Sequence, residues 1–393
     1  MRVAYNDEQI ALRDELRAYF ARVLTPEVRK ELGPRAGEHQ GPEFRRVVGQ
    51  FGKDGWLGVG WPKEYGGQGR SAIEQYIFYD EARKADAPIP LVTLNTVGPT
   101  LMQHGSAEQK ARFLPAILAG EIFFAIGYTE PGAGTDLASL RTRAARDGDS
   151  YIVNGQKIFT TGAHDADFIW LAARTDPDVP KHKGLSILIV EATAPGVKTT
   201  PINTLDDGRT NAVYFEDVKV PATAIVGEEN EGWRLITTQL NHERLALACS
   251  GVAEQMLDDT VAWAQQTRAP GGERIIDRSW VQLTLARARA RLDALRLLNW
   301  RLAWELTKGI LNPADASAVK VYGTELFVEV YRAIMEVLGE AGTLKAGSPG
   351  AVLGNRVELM YRWAYVVTFG GGVNEVQREI IATAGLGMPR TGR

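Results

Sequence analysis

Apolar residues recur every three to four positions up to about residue 120, alternate with polar ones to about 220, and then return to the helical period. Asn6, with Gln9 three residues on, reads as a capped helix start, and Ile10, Leu12, Leu16, Tyr19 and Phe20 are spaced for one buried face. A Gly/Pro-bearing loop over 34–42 and a helix over 43–54 follow. The run from Gly55 to Gly67, with Trp56, Trp61, Pro62 and Tyr65, then predicts a rigid aromatic bend. Helical patterns cover 73–85 and 97–105, and a further helix ends near Ala119-Gly120. Strands are predicted over 123–128, 142–146, 150–153, 157–160, 168–174, 185–191 and 213–215, with Asn154-Gly155 as a hairpin signal between two of them. Long helices over 235–266, 277–307, 313–338 and 351–368 have bundle length, and Gly370-Gly371-Gly372 separates them from a last helix over 374–384. The expected fold is multi-domain α+β: an N-terminal helical domain (1–120), a middle β-barrel or sandwich domain (121–226) and a C-terminal four-helix bundle (227–393).

Composition narrows the function classes. A net charge of −3 gives no reason to expect nucleic acid or an anionic membrane surface as partner. The single cysteine, Cys249, excludes an intrachain disulfide and a thiolate zinc cluster, and fits a reducing cytoplasm. His39, His104, His164, His182 and His242 show no ligand spacing, so no metal is expected. The N-terminus lacks an apolar segment of signal-peptide length, and no apolar run is long enough to span a bilayer.

The most informative stretch is Ile126-Gly127-Tyr128-Thr129-Glu130-Pro131-Gly132-Ala133-Gly134-Thr135-Asp136, an apolar strand that breaks into a loop of small residues. Such a loop lets backbone N–H groups approach a ring or a phosphate. Alone it is an ordinary strand-to-loop turn. Paired with Gly155-Gln156-Lys157-Ile158-Phe159-Thr160-Thr161-Gly162 it resembles the two flavin-binding signatures of the acyl-CoA dehydrogenase family, and the resemblance extends over nearly the whole chain. It implies FAD as cofactor. By position it puts Ile126, Tyr128, Thr129, Gly134, Thr135 and Thr161 at the flavin, with Phe159 covering the ring. The Trp61-Pro62 and Tyr65-Gly66-Gly67 bend also recurs in the family, as a wall of the site.

Dehydrogenating an acyl-CoA at its α and β carbons requires a carboxylate for the α proton, a hydride acceptor for the β carbon and donors to the thioester carbonyl. Many family members keep the carboxylate in the loop that reads Gly370-Gly371-Gly372 here, and Gly371 stands at its place. A subset carries it on the first bundle helix, where this chain has Leu240-Asn241-His242-Glu243-Arg244. The resemblance therefore implies Glu243 as base. It places Thr135, Asn241, Arg244 and the Gly371 or Gly372 N–H at the substrate, although Asn241 and Arg244 read equally well as polar residues on a helix surface.

A glutamate on the helix is associated in the family with α-branched or bulky acyl groups. Gly66 to Ala72, Thr237 to Arg244 and Thr368 to Gln377 resemble bacterial members that shorten sterol side chains, which implies a steroid acyl-CoA substrate and an electron-transferring flavoprotein or similar acceptor. A branched- or long-chain fatty acyl-CoA, a flavin oxidase or monooxygenase of the same fold, and a non-catalytic flavin-supporting subunit are the alternatives. In the family a neighbour's bundle usually holds the adenine half of each flavin through an Arg-x-x-Phe-Gly run and a Gly-Gly-x-Gly turn. Here the first survives as Arg268-Ala269-Pro270-Gly271-Gly272 without its aromatic, and the second reads Leu338-Gly339-Glu340-Ala341-Gly342. Glu340 adds negative charge where a pyrophosphate would pass. This chain is therefore expected to keep Arg268 but to need a homologous second subunit, in a mixed α₂β₂ tetramer.

Overall fold

The computed structural model describes residues 4–33, 41–310 and 312–389, apart from the side chains of 240–247. In chain order the helices of the first third are α1 (Asp7–Val23), α2 (Pro26–Leu32), α3 (Pro42–Lys53), α4 (Ala72–Lys84), α5 (Gly98–His104) and α6 (Ala107–Ala119). Local chemistry fixes several starts. Asn6/Gln9, Ser71/Glu74 and Ser106/Gln109 all form reciprocal capping boxes before α1, α4 and α6. Leu12, Leu16, Tyr19 and Phe20 form the buried face of α1, whereas Ile10 lies on its exposed side. A π-helical turn, Val92–Val97, precedes α5. Pro99 cannot supply an N–H to the residue 95 carbonyl, and the Gly98 N–H bonds back five residues, to Thr93.

The strands are β1 (Phe124–Gly127), β2 (Arg143–Asp147), β3 (Ser150–Lys157), β4 (Phe168–Arg174), β5 (Leu185–Glu191), β6 (Val197–Asn203) and β7 (Arg209–Pro221). They form one seven-stranded sheet of order β1-β4-β2-β3-β7-β6, with β5 also on β4. Asn154-Gly155 is not a hairpin. The chain turns at Asp147–Ser150 instead, and β3 runs straight through Asn154-Gly155 with a bulge against β7. Gly155 sits at φ +150, and a Cβ there would lie 2.7 Å from the Thr142 Cα, so only glycine fits. Asn154 is spent on Asp217, whose N–H and carboxylate it bonds at 2.9 Å each. Strand β6 has no counterpart among the predicted strands, because its residues are mostly exposed at the sheet edge. Tyr151, Val153, Ile169, Leu171, Leu188, Val213 and Phe215 pack the sheet's core.

The remaining helices are α7 (Gly232–Leu247), α8 (Gly251–Gln266), α9 (Ser279–Thr307), α10 (Pro313–Leu338), α11 (Arg356–Ala364), α12 (Val366–Phe369) and α13 (Asn374–Ile380). The helix predicted over 235–266 is thus two, divided at Ala248–Ser250. Asn299 Nδ2 takes the Ala248 carbonyl at 2.8 Å, and Ser250 Oγ bonds the Glu254 carboxylate at 2.7 Å.

Two compact units result. One comprises Met1–Lys30, Ser71–Ala87 and Arg244–Arg393, the other Glu31–Arg70 and Pro88–Glu243. The first is a helical body centred on α10, with Phe327, Val330, Tyr331 and Ile334 buried along it. The second holds the sheet, α3, α5, α6 and α7 up to position 243.

Candidate active site

In the sheet unit the two glycine-bearing stretches are laced together. Beyond β1 the chain makes a tight turn in which Glu130 and Ala133 exchange backbone hydrogen bonds at 3.0 and 3.1 Å. The buried Glu130 carboxylate accepts from the Arg141 N–H at 2.6 Å, the Thr142 N–H at 2.8 Å and Lys157 Nζ at 2.8 Å. Lys157, completely buried at the end of β3, also donates to the Tyr128 carbonyl at 3.0 Å. The Ile158 N–H bonds the Thr129 carbonyl at 2.8 Å. Burial pushes Lys157 down to about 8 against the pull of Glu130. Burial also opposes the Glu130 charge, but the Lys157 ammonium and the two N–H donors outweigh it and hold the carboxyl below its usual range. The sequence presents Glu130 and Lys157 only as members of the two stretches.

This lacing brings Thr129, Phe159 and Thr161 into one neighbourhood with the turn that leads to Gly134 and Thr135. Phe159 is 60% exposed and sits at φ +55, a left-handed conformation that costs a bulky residue about 1 kcal/mol or more. Thr161 Oγ1 lies 3.2 Å from Thr210 Oγ1. Gly134 and Thr135 are exposed, and a Cβ on Gly134 would meet nothing nearer than Thr129 Cγ2 at 4.0 Å. Among the described residues the neighbouring Thr160 hydroxyl, which is buried, has no partner. An open small-residue turn, a strained exposed ring and free hydroxyls suit a flat heteroaromatic ligand with polar edges, as a flavin is. Ile126 is half-buried on β1. Tyr128 is buried, and its hydroxyl is occupied by Gln239 and by Trp170 Nε1 at 3.2 Å.

Helix α7 carries positions 241 and 243 at its far end and position 244 just beyond this unit. The side chains of Asn241, Glu243 and Arg244 lie outside the described residues. A crevice beside the preceding turn is lined by Asn95, Thr100, Gln103, His104, Thr238 and Gln239 together with Pro99 and Leu235.

In the helical unit, Gly371 and Gly372 adopt φ +67 and +91. Their carbonyls are held from behind: Lys320 Nζ donates to Gly372 O at 2.8 Å, and Gln377 Nε2 to Gly371 O at 3.4 Å. Lys320, completely buried, also bonds the Thr368 carbonyl at 3.0 Å and Asn374 Oδ1 at 2.7 Å. Among the described residues, the Gly371 and Gly372 N–H groups have no acceptor. Arg268 closes its own turn, Nη1 donating to Gly272 O at 2.6 Å, and Glu340 is exposed on a 3₁₀ turn, Gly339–Thr343.

Three family models account for nearly all of the sequence: acyl-CoA dehydrogenase N-terminal domain at residues 6–121, middle domain at 125–218 and C-terminal domain at 230–386. The chain belongs to the acyl-CoA dehydrogenase family, whose members are flavoproteins. It is 53% identical over 400 residues, all of both chains, to acyl-CoA dehydrogenase FadE26 of Mycobacterium tuberculosis. It is also similar to a chain of the ChsE4-ChsE5 complex of the same organism, at 54% identity and TM-score 0.93 with all of both chains covered. A chain of the Tcur3481-Tcur3483 steroid ACAD matches at 52% identity and TM-score 0.94, again over all of both chains. No described helix is long and apolar enough to cross a membrane.

Proposed function

We propose that this acyl-CoA dehydrogenase binds FAD through the laced turn and removes two hydrogens from the side chain of a steroid acyl-CoA in the cytoplasm. The observation that carries the cofactor reading is the Glu130–Lys157 pair, which fastens an open glycine turn beside an exposed Phe159 and free threonine hydroxyls. Thr129, Gly134, Thr135, Phe159 and Thr161 would hold the flavin, with the backbone of Ile126 and Tyr128. The steroid reading is supported by the relative that is itself a steroid ACAD.

Glu243 takes the α proton as general base. The idle N–H groups of Gly371 and Gly372 polarise the thioester carbonyl, and Asn241, Arg244 and Thr135 position the acyl-CoA. A bound flavin supplies the centre that accepts the β hydride, so the substrate gives up one proton and one hydride and becomes the enoyl-CoA. An electron-transferring flavoprotein or similar acceptor would take up the two electrons.

A homologous second subunit completes the enzyme. Two structural relatives are two-component assemblies, and here Arg268 is engaged with its own turn while Glu340 stands exposed. The test is co-expression with such a subunit, followed by flavin quantitation and anaerobic titration with steroid and fatty acyl-CoAs. Flavin bleaching by steroid thioesters supports the assignment. Bleaching by straight-chain thioesters alone overturns the substrate, fast reoxidation by air points to an oxidase, and a chain without bleaching under any thioester is a supporting subunit.

A further inference from the structure

The hydrogen bonds around Tyr128 have a fixed direction. An indole N–H can only donate, so Trp170 Nε1 must spend its hydrogen on the Tyr128 oxygen at 3.2 Å. The phenol donates in turn to Gln239 Oε1. With Oε1 facing the phenol, the Gln239 amide keeps Nε2 as a donor. Among the described residues Nε2 has no partner, and it is buried in a residue only 2% exposed. An unmet buried donor of this kind is costly and rare.

These three residues join three elements. Trp170 lies on β4, paired with Ile126 of β1, and Tyr128 directly follows β1 and precedes Thr129 of the glycine turn. Gln239 lies on α7. The inward positions of that helix before 240 are 232, 235, 236 and 239, and position 243 follows Gln239 by one turn. Gln239 also lines the crevice formed with the Val92–Val97 turn and α5. The sheet therefore grips α7 one turn before position 243.

We propose that Tyr128 and Gln239 are positioning residues for the base: the directed chain Trp170–Tyr128–Gln239 fixes the turn of α7 from which Glu243 acts. The inference rests on Glu243 being the base. Neither residue needs to touch the reacting atoms. A displacement on the order of 1 Å at such a turn can cost about a hundredfold in rate.

The experiment compares Tyr128→Phe, Gln239→Met, their double variant and Glu243→Gln in the flavin-loaded enzyme, by rapid-mixing anaerobic bleaching over a range of substrate concentrations. Tyr128→Phe keeps the ring and Gln239→Met keeps the stem. Each single variant is expected to lower the maximal bleaching rate about ten- to hundredfold, with half-saturating substrate within about twofold of wild type. The double variant should be no slower than the worse single, because one chain is cut in both. Flavin per chain is expected to be unchanged. Wild-type maximal rates in both singles, losses confined to half-saturation, or loss of flavin would each overturn the inference. Full bleaching by Glu243→Gln would instead remove the base assignment itself. A silent Glu243→Gln beside two wild-type singles removes only the positioning role.

Discussion

Lys157→Met tests the buried pair that fastens the glycine turn, and it does so through the sign of a pH effect. Burial lowers Lys157 from its ordinary 10.5 to about 8, while Glu130, held low, stays ionised through the alkaline range. Between about 8 and 10.5 the unfolded chain holds a proton that the folded chain has released, so stability rises with pH across that window. The buried ammonium burdens the fold by about 3 kcal/mol at pH 7, and about 2 kcal/mol of that is recovered by pH 9.5. For a chain of 393 residues this corresponds to about 2–3 °C in melting midpoint. Methionine keeps the apolar stem and removes the titrating group. The assay is the difference between wild-type and variant midpoints at the two pH values, which cancels the ionisations that the substitution leaves alone. Wild type should gain about 2–3 °C on the variant between pH 7 and pH 9.5. A constant difference, or wild type losing ground, refutes the reasoning, because a surface-like lysine with an undepressed pKa would behave in that way.

Glu243→Gln should keep flavin and lose about 10²–10⁴-fold in bleaching rate, read by anaerobic mixing with substrate. Gly372→Ala places a Cβ 2.7 Å from Gln377 Nε2 at φ +91, so it should slow bleaching and lower the melting midpoint while flavin content stays the same. The chain purified alone should hold well under one flavin per subunit. With a homologous second subunit, absorbance should report one flavin per pair of chains, and a saturated homotetramer would remove the mixed assembly.

Much of the fold was legible because its local rules are strong. The capping pair at Asn6 and the start of α10 at Pro313 are local chemistry, and they appear where the pattern places them. The misses have tertiary causes. Asn154-Gly155 carries a turn signal, but its glycine is needed where the chain passes close to Thr142. The break between α7 and α8 contains neither glycine nor proline, and it is held open by Asn299, about fifty residues away in sequence. In the site, the glycine turns were visible in composition. The groups that hold them were hidden, because Lys157 and Lys320 read as ordinary charged residues in a window of sequence. Gln239 was invisible for a similar reason: its importance lies in the direction of a hydrogen bond that begins at Trp170.

The two buried lysines do one job in two separate settings. A glycine turn that offers its N–H groups to a ligand has its carbonyls on the other side, and buried carbonyls need donors. A lysine reached through an apolar stem brings up to three donors to a point without adding another backbone segment. Lys157 holds the Tyr128 carbonyl and the Glu130 carboxylate behind the Thr129–Thr135 turn. Lys320 holds the Thr368 and Gly372 carbonyls and the Asn374 amide behind the triple glycine. Glycine supplies the close approach but no rigidity, since it loses the most conformational freedom when ordered. The buried ammonium supplies what glycine lacks, fixing the loop from the protein side so that its other side stays open. The cost of burying charge is therefore borne at two places where loop flexibility would otherwise blur a binding geometry.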